Sequence, residues 1–410
     1  MRKFVVLQTH TQQFMKRKIL FTFLVILPIC MWSQTPNLDE NKGGLQLDVD
    51  AEGFFFDAEY GTPFAKGYTV TGFRLSPTLV YGINEKAQLR VGFNATLFAG
   101  LDSLYMVRPT MTLVYKPTDC LTFIAGTILD NNHHQLAAPV IDPARHIFNY
   151  QEDGIQILAN TKIWRSDTWL DWTHYLVPWT PDQELFTMGT KHSLELLHLH
   201  KTNDAHCVVN PLPDTCMPDK HHDFTVYIPF HFFADHRGGE IKTIDTNTVT
   251  TFNENVGLRF EYFFDNGRKM MSNIILDMPV FFYHLENSEL DHSGKAFYPS
   301  LTYCWSKRNV NSKLSIANSL SYWHGDHYFS AHGSPLFWSA NSYSRLHMPA
   351  STSYVDADTR NLITYSLFLE HSYKGVSLGF KVDAIHDIEL KNNDFIFSFF
   401  LRYNGQFKIL

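Results

Sequence analysis

The feature that most constrains this chain is a rhythm. Segments of about ten residues alternate apolar and polar side chains, and each ends in turn residues. Leu89, Val91, Phe93, Ala95 and Leu97 alternate with Gln88, Arg90, Gly92, Asn94 and Thr96. Val256, Leu258, Phe260, Tyr262 and Phe264 alternate with Gly257, Arg259, Glu261, Phe263 and Asp265. Val376, Leu378, Phe380 and Val382 do so with Ser377, Gly379, Lys381 and Asp383, and the last segment sets Phe395, Phe397, Phe399, Leu401 and Tyr403 against Ile396, Ser398, Phe400 and Arg402. Successive side chains of a strand point to opposite faces, so a period of two predicts strands with two unlike faces.

Sixteen strands read out in this way. They centre on 45–59, 69–81, 87–98, 104–115, 121–129, 154–164, 168–177, 185–197, 223–235, 253–264, 269–283, 296–306, 312–323, 361–373, 376–387 and 394–404. Short turns at 84–86, 117–119, 165–167, 265–267, 307–311 and 374–375 alternate with long loops at 130–153, 236–252, 284–295 and 324–360. Short turns at one end and long loops at the other is the arrangement of an outer-membrane barrel, with the short turns periplasmic. One connection on the short-turn side departs from it, the long insertion 198–222.

Composition then decides which solvent the strands face. Of the 410 residues 15% are aromatic and 18% charged, against roughly a quarter charged in soluble domains. Disorder is excluded by the apolar content. After residue 33 no stretch approaches the roughly 20 apolar residues of a spanning helix. A net charge of -7 argues against nucleic acid as a partner. In hydrocarbon every backbone N–H and C=O needs an internal partner, so a membrane sheet must close on itself. Aromatics near strand ends (Tyr81, Tyr115, Trp164, Trp305, Trp323, Tyr373) suit interfacial girdles. The fold expected is all-β: a transmembrane antiparallel outer-membrane β-barrel of about sixteen strands. A secreted sandwich or propeller would account for the alternation but not for the loop lengths.

The N-terminus reads as an export signal. Lys16-Arg17-Lys18 precedes the apolar run 19–29 and then Met31-Trp32-Ser33, which predicts cleavage after Ser33. Met15 begins the same pattern and is an alternative start. Residues 1–33 are thus a signal peptide and 34–410 a single barrel in the outer membrane of a Gram-negative envelope. Losing five basic residues takes the net charge from -7 to -12. In an oxidising compartment Cys207 and Cys216, which bracket a Pro-rich stretch, are candidate disulfide partners, whereas Cys120 and Cys304 have no evident partner in the sequence.

Several stretches resemble porin-like outer-membrane barrels of the Bacteroidota, a group without an assigned function. They are Leu170-Asp171-Trp172, the run Gln183-Glu184-Leu185-Phe186-Thr187-Met188-Gly189, and Ile228-Pro229-Phe230 leading to Asp235-His236-Arg237-Gly238-Gly239-Glu240. The resemblance implies assembly into the outer membrane by the barrel-assembly machinery, among outer-membrane lipid and lipopolysaccharide. It leaves the cargo open.

Sixteen strands enclose more space than wall side chains fill, so an aqueous channel is the default expectation. Arg74, Arg90 and Arg108 fall on the inward phase of three successive strands; Asp48, Asp50 and Glu52 line strand 1, and Arg259 and Glu261 face inward on a later strand. Loop 130–153 is long enough to enter the pore and brings Asp142, Arg145, Glu152 and Asp153. A basic wall facing an acidic loop would set selectivity at a constriction; solvated or mutually paired charges are the plainer account. The histidine groups His133-His134, His198 with His200, His221-His222, and His324 with His327 and His332 lack a recognisable ligand spacing, so neither metal nor cofactor is expected. His174 and His371 fall on the lipid-facing phase without a Ser/His/Asn constellation beside them. The sequence reading is therefore a porin-like channel for small polar solutes and not an enzyme. The alternatives are a docking barrel of an envelope complex, or a lipid-modifying enzyme, which would require a Ser–His pair on the outer rim. A homo-oligomer is left open.

Overall fold

A computed structural model describes residues 43–62, 65–129, 134–175, 183–203, 220–238, 249–266, 270–286, 293–309, 311–339 and 358–410. The export signal, Cys207 and Cys216 lie outside them. The strands are β1 (Leu45–Glu59), β2 (Tyr68–Asn84), β3 (Ala87–Phe98), β4 (Met106–Thr118), β5 (Leu121–Thr127), β6 (Asp153–Asn160), β7 (Trp164–His174), β8 (Glu184–Asn203), β9 (Lys220–Gly238), β10 (Val249–Asp265), β11 (Met270–Glu286), β12 (Ser293–Phe297), β13 (Ser300–Arg308), β14 (Ser312–Asp326), β15 (Thr359–Tyr373), β16 (Val376–Asp387) and β17 (Asn392–Lys408). All pair antiparallel with their neighbours, and β1 pairs with both β2 and β17, which closes the sheet. β12 and β13 both run between β11 and β14. The break between them at Tyr298-Pro299 is bridged by Tyr298 N–H to the Pro279 carbonyl and Tyr322 N–H to the Pro299 carbonyl. They are one stave, and the barrel has sixteen.

The outer face is apolar along its height: Phe73, Leu79, Val91, Phe93, Met111, Leu258, Leu301, Leu320, Phe380 and Leu401 are exposed there. Turns at the short-connection end are tight. Lys374 and Gly375 both have positive φ (47° and 83°), the pairing that a two-residue hairpin of the strands' own twist requires. The hairpin between β6 and β7 turns at Thr161–Ile163, earlier than the expected 165–167. Thr161 exchanges backbone and hydroxyl hydrogen bonds with Trp164 and so starts β7 there.

The interior departs most from expectation. Two long loops of the opposite end fold into the lumen. One follows β5 and carries the one-turn helix α1 (Arg145–Phe148); the other follows β14 and carries a 3-10 turn at Pro335–Phe337. Ile128, Leu136, Val140, Ile141, Tyr328, Phe329, Leu336 and Phe337 from these loops pack on inward-facing Trp169, Phe233, Phe281, Tyr283, Trp323, Leu362 and Ile385. Ala144 and Ile147 pack on Phe54, Phe56 and Phe98 across the barrel. The long-loop half of the lumen is thus a hydrophobic core rather than a wet pore. Trp323, expected in a girdle, is fully buried here, ringed edge-on by Phe281, Tyr328 and Phe337. The other five girdle aromatics sit on the outward phase.

The loops are also pinned by polar contacts. Ser330 Oγ donates to the Val140 carbonyl (2.7 Å), Asp142 N–H to the His332 carbonyl (2.6 Å), and Asn253 Nδ2 to the Phe329 carbonyl (2.7 Å). Trp323→Ala removes the central ring of the plug. It should destabilise the barrel by about 3–5 kcal/mol, read as a lower urea midpoint and as faster proteolysis within 327–339.

Candidate functional site

The inward arginines of the sequence reading do point into the lumen, and each is spent on a neighbour. Arg74 is buried. It donates to Glu52 (3.1 Å) and to the His146 carbonyl (2.7 Å) of the first plug loop, with its guanidinium 3.9 Å over the Tyr150 ring. Glu52 also takes Arg402 (2.7 Å), Arg90 pairs with Asp48 (3.0 Å), and Arg108 with Asp153 (2.5 Å). Arg259 is shared by Glu261 (2.6 Å) and Asp277 (3.6 Å). Asp50 lies in register between Ser76 and Asn404. Asp142 accepts from the Ala144 N–H (2.9 Å), and its burial raises its pKa. The wall arginines therefore pair mostly with wall carboxylates, and Arg74 holds α1 rather than facing an open constriction.

Under this layer sits a buried histidine network. His134 is enclosed and stacks on Trp169 (3.6 Å, 9°); its Nδ1 meets Asp167 (2.7 Å) and its Nε2 meets Glu152 (3.0 Å). Arg145 lies 3.6 Å from Glu152 and 3.5 Å from Asp171, and contacts His332 Nδ1 (2.9 Å); His332 Nε2 in turn meets Asp235 (2.7 Å). Burial alone would lower the His134 pKa. The hydrogen bonds and charges of Asp167 and Glu152 outweigh it and hold the imidazole up to about 9. A charged imidazole between two carboxylates is a structural tie, sealed from substrate.

The outward face offers different chemistry. Three threonine–histidine hydrogen bonds occur among the described residues. Thr225–His198 (3.3 Å) lies in the lumen, and Thr190–His192 (2.9 Å) is well below the rim. The third, Thr250 Oγ1 with His236 Nδ1 at 2.9 Å, joins β9 to β10 on the lipid side, next to the long-loop end where β9 finishes and β10 begins. The His236 ring stacks on Phe186 at 4.7 Å, and an apolar strip of Phe232 and Phe252 runs below it toward the membrane centre. This is a hydroxyl and a base within hydrogen-bond reach on the outward face, two residues from the long-loop end of β9.

A family model described as "Lipid A 3'-O-deacylase-type" matches residues 37–410. The chain belongs to this family. No curated protein matches it. Among solved structures it is similar to a loop-deletion form of OmpT from Vibrio cholerae (11% identity, TM-score 0.45, 89% of this chain and 100% of that one) and to OprD from Pseudomonas aeruginosa (9%, 0.43, 92% and 100%). These likenesses do not bear on activity. Membership in the Lipid A 3'-O-deacylase-type family overturns the expectation that the chain is not an enzyme, and with it the preference for porin over lipid chemistry.

His236 lies within the family-like stretch, where nothing adjacent in sequence marks it as a site. The usable signal was its phase: Phe230, Phe232 and His236 share the outward parity, and only the β9–β10 register brings Thr250 alongside. Cys120 is disulfide-bonded, whereas Cys304 is free.

The interior network makes a pH prediction. A histidine whose folded pKa exceeds its unfolded value near 6.5 stabilises fully below that value, and the contribution is lost as pH rises through about 9. The shift corresponds to on the order of 3 kcal/mol. Urea midpoints should fall between pH 6.5 and 9.5 in the wild type, and His134→Gln should flatten that slope.

Proposed function

We propose that this protein hydrolyses an acyl ester of lipid A, or of a similar glycolipid, in the outer leaflet, with Thr250 as nucleophile and His236 as its general base. The observation that carries the reading is the lipid-facing pair itself, in a chain whose family is named for such a deacylation. The acyl esters of a glycolipid lie where headgroup meets hydrocarbon, and on this reading the rim where β9 ends and β10 begins reaches that level. The sugar would sit over the rim, and the acyl chain would lie along Phe232 and Phe252.

The chemistry follows from the geometry. In the tautomer with its proton on Nε2, His236 accepts the Thr250 hydroxyl proton at Nδ1 as Oγ1 attacks the ester carbonyl carbon. The imidazolium then returns that proton to the departing sugar oxygen, leaving an acyl-threonine. Water, deprotonated by the same imidazole, releases the fatty acid and restores Thr250. Phe186 holds the ring plane by stacking. Passive diffusion has less support, because a solute crossing the long-loop half would have to displace the two packed loops.

The test uses purified, refolded protein with lipopolysaccharide, scoring free fatty acid and the loss of one acyl chain from lipid A by mass spectrometry. His236→Ala and Thr250→Val should each lower kcat by about 10²-fold or more, while Thr250→Ser stays within about tenfold. Wild-type rates in both variants, with barrel circular dichroism unchanged, would overturn the assignment.

A further inference from the structure

At the periplasmic end β8 runs past β7, while β9 stays paired with β10 down to His221 opposite Asp265. The last pairing of β7 with β8 is Trp164 with Leu194, whereas β8 and β9 stay paired down to Asn203 with Lys220. Beyond Glu195, whose N–H still reaches the Ile163 carbonyl (2.7 Å), that edge of β8 has left the β7 side. On the inner side of this extension the register sets His200 opposite Asp223 and His198 opposite Thr225. His198, His200 and Asp223 each offer a ligand atom, all within 4.8 Å of one another.

The surroundings of these residues are those of a metal site rather than of scattered surface histidines. His198 Nδ1 is held by the Thr225 hydroxyl (3.3 Å) and lies 3.8 Å from Glu195, while its Nε2 is turned toward Asp223 (3.8 Å). A ligand histidine is commonly fixed in this way, with one ring nitrogen tied by a hydroxyl or carboxylate and the other offered to the ion. His200 presents Nδ1 to the same Asp223 oxygen. The rings of His198 and His200 stack at 21° with centroids 6.5 Å apart, and His221, paired with Asp265 at 3.7 Å, lies 6.1 Å from His200. His198 and His200 are about half exposed, so an ion can enter from the periplasmic mouth.

We infer that His198 Nε2, His200 Nδ1 and an Asp223 carboxylate oxygen bind one divalent late-transition ion of the zinc class, with the fourth position left to water or to His221. Two imidazoles and one carboxylate suit Zn2+ and disfavour Mg2+ and Ca2+, which take oxygen ligands. Bound metal would replace the His200–Asp223 hydrogen bond and staple β8 to β9 beyond the point where β7 supports β8. The proposal is independent of the deacylase assignment, because the site lies at the opposite end of the barrel.

The probe is Zn2+ alone, titrated calorimetrically into the metal-free, refolded full chain. Binding of one equivalent with micromolar or tighter Kd is expected, unaffected by millimolar Mg2+ or Ca2+. Asp223→Asn, and the double variant His198→Ala with His200→Ala, should each weaken it by at least about tenfold; His371→Ala on the outer face should not change it. Zn2+ should also raise the thermal midpoint of the wild type and not of the double variant, which covers any loss of folding in that variant. Equal binding by the wild type and the double variant, or no binding at all, would overturn the site.

Discussion

A strand in hydrocarbon can leave no backbone N–H or C=O without a partner, and a sheet meets that demand on every strand only by closing. Here the closure is the β1–β17 ladder, running from Gln46 opposite Lys408 to Glu59 opposite Phe395. Closure fixes the parity of every side chain around the ring, and parity separates residues that are neighbours in sequence. Asp235 points inward and ties His332 of the second plug loop; His236, one residue on, points to lipid and takes Thr250. One turn of the pleat thus divides structural electrostatics from the chemistry proposed at the rim.

The plug explains why the inner face carries so many charges without being a channel lining. A loop brought into a barrel buries its own polar groups, and each must find a partner on the wall. Arg74 meets that need for α1, Arg145 for the acids at the start of β6 and in β7, and Arg360 with Asp387 for the root of the second loop, where both side chains are fully buried. Such pairs add little net stability over an apolar filling, yet removing one partner strands the other at a cost of about 3–5 kcal/mol. They are well suited to fixing one arrangement of the plug, while the aromatic cluster around Trp323 supplies the apolar burial.

The barrel was legible because its code is local. Ten-residue alternation and the contrast of turn and loop lengths survive in any one stretch of chain, and sixteen staves follow from them. The plug was not, because its code is non-local. Trp323 has the size and strand-end position of a girdle residue, and only its partners Phe281, Tyr328 and Phe337 place it inside. Trp169, Phe233 and Tyr283 also sit on the inward phase, where alternation predicts polar groups. His134 with Asp167, and Arg145 with His332, join residues with no shared spacing. Arg74, Arg90 and Arg108 could be given a face from the sequence, but their carboxylate partners depend on the register.

The same reasoning separates the histidines. A general base must be unprotonated when it acts and must touch the reacting group. His134 fails on both counts: its two carboxylates hold it charged, and Trp169 and the plug enclose it. His198 and His200 are open but bound up with Asp223 at the periplasmic end, far from an outer-leaflet ester. His192 has a threonine partner, but it stacks on Trp164 at the periplasmic end of β7, away from the outer leaflet. His236 combines a hydroxyl partner, an outward-facing side chain and a place beside the long-loop rim, where the proposed reading sets the ester. What distinguishes a candidate catalytic histidine in this barrel is therefore the face and height that closure assigns to it, more than the residues beside it in sequence.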